Sequence, residues 1–183
     1  MRTPVSRLSG VMSPVLTPFN GDLTPSPSRF VKHCRWLLKQ EVGLAIFGTN
    51  SEANSLTVKE KVSLLDTLLA AGLPAAKMIP GTGTCALPDT IELTRRAVEA
   101  GCAGVLMLPP FYYKGVSDEG LFRSFARVID AVADDRLRIY LYHIPPGANA
   151  QGKASVIVPI AVLRNQSNWR RASRGETTAW RRF

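Results

Sequence analysis

Apolar runs of strand length recur along the chain: Val11–Leu16, Leu44–Phe47, Lys77–Ile79, Val105–Leu108 and Ile139–Ile144. Their starts lie 33, 33, 28 and 34 residues apart. None alternates cleanly between apolar and polar positions, as expected of strands in a parallel sheet covered on both faces. The segments between them carry helix signals. Ser26-Pro27 offers an N-cap and a proline at the first helical position, and Phe30, Val31, Cys34, Leu37 and Leu38 mark one face, with Gly43 as the stop. Thr57-Val58-Lys59-Glu60 is a capping box, followed by a stripe of Val62, Leu65, Leu68 and Leu69. Asp89 can cap a helix that turns Ile91, Thr94, Ala97 and Val98 inward, and Ser117 one that turns Leu121, Phe125, Val128 and Val132 inward. Strand–helix alternation at this period predicts an α/β fold with a parallel sheet. An open doubly wound sheet and a (β/α)8 barrel both satisfy it. Such a barrel takes about 250 residues. Five strands are used up by residue 144, so a barrel here is a partial one of about five β/α units.

Composition narrows the class. The 183 residues are 45% hydrophobic and 20% charged, a globular balance. No apolar run is long enough to span a membrane. The N-terminal stretch lacks the apolar core of a secretory signal. Cys34, Cys85 and Cys102 show no CxxC spacing and read as reduced thiols of a cytoplasmic protein. The net charge of +9 is unevenly placed. Residues 1–152 hold 16 basic and 13 acidic side chains, a net of +3, and residues 153–183 hold seven basic and one acidic, a net of +6. The body is therefore nearly balanced, and its charge points to no polyanionic partner.

In α/β folds the chemistry sits just past the carboxyl ends of the strands. Three such ends are polar or aromatic here: Gly48-Thr49-Asn50-Ser51-Glu52, Pro109-Pro110-Phe111-Tyr112-Tyr113-Lys114, and Tyr140-Leu141-Tyr142-His143-Ile144-Pro145-Pro146. Small hydroxyl residues beside glycine can expose backbone N–H groups to a carboxylate or oxyanion. A tyrosine phenol can shuttle a proton when held close to a reacting atom.

Together these segments resemble the dihydrodipicolinate synthase / N-acetylneuraminate lyase family. Residues 48–52 are similar to its GTTGE-type loop. Pro110-Phe111-Tyr112 with Glu119-Gly120-Leu121 is similar to its PYY…EGL segment, and Tyr142-His143-Ile144-Pro145 to its YN(V/I)P strand. Gly10–Phe19 and Gly81-Thr82-Gly83 also fit, in order and at the family's spacing over residues 8–147. The resemblance implies a (β/α)8 barrel acting on pyruvate or another 2-oxo acid, homo-oligomeric, without metal or organic cofactor. A strand-six lysine would form a Schiff base with the keto carbon, an electron sink for making or breaking the adjacent carbon–carbon bond. Carried over, Tyr142 is the general acid/base. Thr49 relays its proton, and Tyr112 completes the relay from a neighbouring subunit. Thr49 and Asn50 hold the substrate carboxylate, and Glu52 has a structural part.

Departures from the pattern set the remaining expectations. Asn50 and Ser51 replace a threonine and a glycine of the synthase loop, which leaves the aldehyde partner open. Pro146-Gly147 stands where the synthase pattern has an acid-binding arginine, which counts against true dihydrodipicolinate synthesis. The family lysine should follow Tyr142 by about 28 residues, but position 170 is arginine, and Lys153 is the only lysine after Lys114. Arginine stays protonated and cannot serve as the nucleophile. No Schiff-base lysine is found, so the expectation is a synthase-like lyase fold that is inactive alone. Residues 164–183 hold six arginines and no Leu, Ile or Val. The chain accordingly divides into a partial barrel over 1–147 and a divergent, basic, disordered segment over 148–183, read as a truncated or frame-shifted terminus. Lys153–Leu163 suits a strand by β-branching and a fifth helix by position.

Three other readings compete. Gly81-Thr82-Gly83-Thr84-Cys85-Ala86 matches a G-x-G-x-x-A dinucleotide signal, although it follows the third strand and not the first. The arginine tail with Trp169 and Trp180 could contact nucleic acid, against which a solvated terminus is the simpler account. A non-catalytic remnant of the lyase fold is the third. His33, Cys34 and His143 are not placed to share a metal.

Overall fold

The computed structural model describes residues 9–142. It contains β1 (Met12–Pro14), α1 (Pro27–Lys39), β2 (Gly43–Ala45), α2 (Val58–Ala70), α3 (Leu87–Glu99), β3 (Val105–Met107), α4 (Asp118–Val132) and β4 (Ile139–Leu141), with short 3-10 turns at Thr49–Ser51, Ala53–Ser55 and Ala75–Lys77. β1 pairs parallel with β2, and β3 with β4. The extended stretch 78–81 joins the two pairs. Ile79 and Gly81 donate to the Leu44 and Ile46 carbonyls, while Leu106 donates to Pro80 and Thr82 to Leu106. The third strand, expected at Lys77–Ile79, therefore starts one residue later and forms isolated parallel bridges rather than a ladder. Lys77 closes a 3-10 turn, and Pro80 has no N–H to give toward β3.

Five parallel segments thus lie side by side in chain order. The helices also pack in order, α1 on α2, α2 on α3 and α3 on α4. A doubly wound sheet reverses its strand order and carries helices on both faces. Here neither happens among the described residues, and the winding is that of a (β/α)8 barrel, partial in extent. One apolar cluster unites α1, α2, β2 and the 78–81 stretch around Phe30, Leu44, Ile46, Leu68 and Met78. A second unites α3, α4, β3 and β4 around Val105, Met107, Val128 and Ile139.

Three helix details differ from expectation. Gly43 is the first residue of β2 and not a helix stop. A Cβ there would lie 2.3 Å from Met12 Sδ, so glycine admits the neighbouring strand's side chain. α3 is capped by Ala86, which places Asp89 in its first turn, where a carboxylate favours the positive end of the helix dipole. The buried stripe of α2 is Lys61, Leu64, Leu65 and Leu68, turned from the predicted one. Lys61 is buried, and burial lowers its pKa against the opposing pull of Asp89. The expected boundary at 147/148, the tail, His143 and Lys153–Leu163 fall outside the described residues.

Candidate active site

Because the strands are parallel and sequential, every loop that follows a strand opens at the same end of the sheet. The loop after β2 is tightly wound. Ser51 donates to the Gly48 carbonyl (3.0 Å), Glu52 to Thr49 (3.1 Å) and Ala53 to Gly48 (3.2 Å). Non-glycine residues in left-handed backbone bracket it, Phe47 at φ +56° and Glu52 at φ +55°. Thr49 and Asn50 stand at its crest, exposed to solvent, whereas Ser51 is buried. Glu52 links the two 3-10 turns.

Glycines determine how closely the next strand approaches. A Cβ on Gly81 would sit 2.1 Å from the Phe47 carbonyl oxygen, and one on Gly83 would sit 2.4 Å from the Leu108 amide nitrogen. Between them Thr82 is buried, and its hydroxyl accepts from Thr94 on α3 (3.0 Å). The glycines therefore serve backbone packing. The Gly81 and Thr82 N–H groups are spent on neighbouring strands, and that of Thr84 on the Thr90 hydroxyl, so these three are not free for a phosphate. This counts against the dinucleotide reading.

The loop after β3 carries Tyr112 and Tyr113, whose rings meet edge to face at 5.6 Å. Tyr112 is 75% exposed, and its backbone N–H donates to Cys85 Sγ (3.4 Å), which fastens this loop to the one after the 78–81 stretch. Lys114 folds back to donate from Nζ to the Phe111 carbonyl (2.7 Å). Tyr113, which the sequence reading did not single out, lines a cavity of about 100 Å³ with Thr84, Cys85, Thr90, Leu108 and Ser124. Its signal was only its place beside Tyr112 in an aromatic pair. Tyr142 directly follows β4, is 6% exposed, and donates its N–H to the Met107 carbonyl (2.9 Å).

The four candidate residues therefore share one end of the sheet, on three different loops. Thr49 and Asn50 are brought together on one turn. Among the described residues no hydrogen bond joins the side chains of Thr49, Tyr112 and Tyr142. Cys34, Cys102 and His33 lie on or beside the helices, away from these loops. Burial pushes the Cys34 thiol up to about 12 and the Cys102 thiol up to about 11, the latter despite the nearby Arg96, so both stay protonated at neutral pH. His33 stacks on Trp36 along α1.

A sequentially wound parallel sheet with one helical layer and polar strand-end loops is the architecture of the (β/α)8 barrels. The comparisons make this specific. The Dihydrodipicolinate synthetase family profile matches residues 7–165, and the chain belongs to that family. An uncharacterized DapA-like lyase of Chloroflexus aurantiacus is 36% identical over 138 residues, 74% of this chain and 46% of that protein. A 4-hydroxy-tetrahydrodipicolinate synthase of Thermus thermophilus is 35% identical over 158 residues, 80% of this chain and 50% of that one. The dihydrodipicolinate synthase crystal structure from Agrobacterium tumefaciens superposes with a TM-score of 0.71 at 30% identity, over 74% of this chain and 48% of that one. A family prophage protein from E. coli K12, crystallised in complex with pyruvate, superposes at 0.66 and 29% identity, over 76% and 46%. The chain spans about half the length of the curated relatives it matches.

Proposed function

We propose that the strand-end rim of this chain is a 2-oxo acid site, with pyruvate as the simplest ligand. The observation that carries the reading is the placement of Thr49, Asn50, Tyr112 and Tyr142 on three loops at one end of a sequential parallel sheet in a chain of this family. The pyruvate complex of the prophage relative supports it. The Thr49 hydroxyl and the Asn50 amide donate to the ligand carboxylate. Charge-assisted hydrogen bonds of this kind are the stronger ones. Tyr142, withdrawn from solvent, is the group that gives or takes a proton at the keto oxygen. Tyr112, standing clear of its own chain, completes a proton relay in a second copy and makes the functional unit a homo-oligomer.

The family step needs an amine at the keto carbon. Position 170 offers a guanidinium, which stays charged and is not nucleophilic. In this reading the chain binds a 2-oxo acid without forming the imine and does not by itself make or break a carbon–carbon bond. Calorimetric titration with pyruvate, paired with borohydride trapping and intact mass measurement, tests both halves. Weak binding of roughly millimolar Kd with no reduced adduct is expected. Thr49→Val should weaken that binding about tenfold, the scale of one hydrogen bond to a charged group. No heat of binding defeats the site. A borohydride-fixed adduct on any lysine defeats the claim of a missing nucleophile.

A further inference from the structure

The turn that carries Thr49 and Asn50 is strained at both ends. Phe47 and Glu52 hold left-handed backbone at φ +56° and +55°. For residues with a Cβ such conformations persist only where the surroundings over-determine them. The restraints on either side can be named. On the side of the third strand, Gly81 lets its backbone press against the Phe47 carbonyl. Beneath, the Phe47 ring stacks on Phe30 at 5.9 Å. On the side of the first strand, among the described residues, one polar contact is seen: Thr17 donates from Oγ1 to the Ser51 carbonyl at 2.8 Å. Both partners are buried, Thr17 at 6% exposure and Ser51 at 0%. Ser51 Oγ has no hydrogen-bond partner among the described residues. Losing Thr17's hydroxyl would therefore put a second unpaired polar group on a residue that already has one. Buried polar groups without partners are costly.

We propose that Thr17 is a positioning residue for the 2-oxo acid site. Its hydroxyl ties the end of β1 to the 47–52 turn and keeps Thr49 and Asn50 in the conformation that grips the carboxylate. Thr17 itself touches no ligand. The ligand half of this inference rests on the function proposed above; the turn half does not.

Two variants of the full chain test it, Thr17→Val, which keeps the shape and deletes the donor, and Thr17→Ser, which keeps the donor. Hydrogen exchange read by mass spectrometry on peptides covering 46–56 and 118–132 reports the turn and a distant helix. The Val variant should exchange about tenfold faster at 48–53 with α4 unchanged, and bind pyruvate about five- to tenfold more weakly, the scale of one buried hydrogen bond. The Ser variant should restore both. Unchanged exchange at 48–53 overturns the proposal, as does an equal rise in α4, or pyruvate binding undiminished in the Val variant. A wild-type chain that binds no pyruvate defeats the proposed function, while the exchange comparison still decides whether Thr17 holds the turn.

Discussion

Gly81 is where one hydrogen in place of a methyl group decides whether two strands can meet. Its neighbour across the gap is the Phe47 carbonyl, a backbone atom that no rotamer change can move aside. A Cβ at 2.1 Å would have to displace the strand or the backbone at Phe47, and both are buried. Overpacking of this kind typically costs about 1–3 kcal/mol, and a backbone obstacle puts this site at the upper end. Gly81→Ala should therefore lower the urea midpoint markedly or abolish soluble expression. An unchanged midpoint would show that the turn yields freely and is not braced from that side. The same residue shows what a sequence motif conceals. Gly81-Thr82-Gly83 reads equally as a phosphate loop or as two close approaches, because both uses need a missing side chain. Only the neighbours at 47 and 108 separate them.

At the scale of elements, the capping box of α2 is the clearest case of local sequence fixing local structure. Thr57 accepts from the Glu60 N–H (3.2 Å), and the Glu60 carboxylate accepts from the Thr57 N–H (2.8 Å) and hydroxyl (2.8 Å). Those two bonds hold the Glu60 carboxyl below its ordinary value of 4.5. A lowered folded-state pKa means that this contribution is present above pH 4.5 and fades as pH falls through the lower folded value. Thr57→Ala should cost about 1 kcal/mol at pH 7, and the deficit should narrow in urea titrations run at successively lower pH below 4.5. A deficit that does not change with pH would mean that the carboxylate plays no part in the cap. Legibility followed the same line. Thr57, Ser117 and the α1 face could be read because caps and 3.6-residue periodicity are local. The third strand could be read to within one residue, but not its break into isolated bridges, because Pro80 interrupts the ladder and the pairing depends on partners far away in sequence. Lys61 was passed over because a charged residue is not counted toward an apolar stripe, although a lysine stem can bury as one does. Thr17 was legible only as part of the 10–19 segment, not as a partner of Ser51, since its contact spans 34 residues of chain.

For the molecule as a whole, sequential winding matters most. It puts three motifs, each far from the next along the chain, past strand ends at the same end of the sheet. The motifs were legible because each loop sits at a strand end, and the repeat of the chain fixes which end that is. What sequence could not show is how the loops are held there: Tyr112 to Cys85, Ser51 to Thr17, Tyr142 to Met107. The central claim is that these loops serve one ligand. Hydrogen exchange of the intact chain with and without saturating pyruvate, read on peptides covering 46–56, 108–116 and 137–142, tests it most directly. The account predicts slower exchange in all three peptides together, with α1 unaffected. Protection of none of them, or of one loop alone, would contradict it.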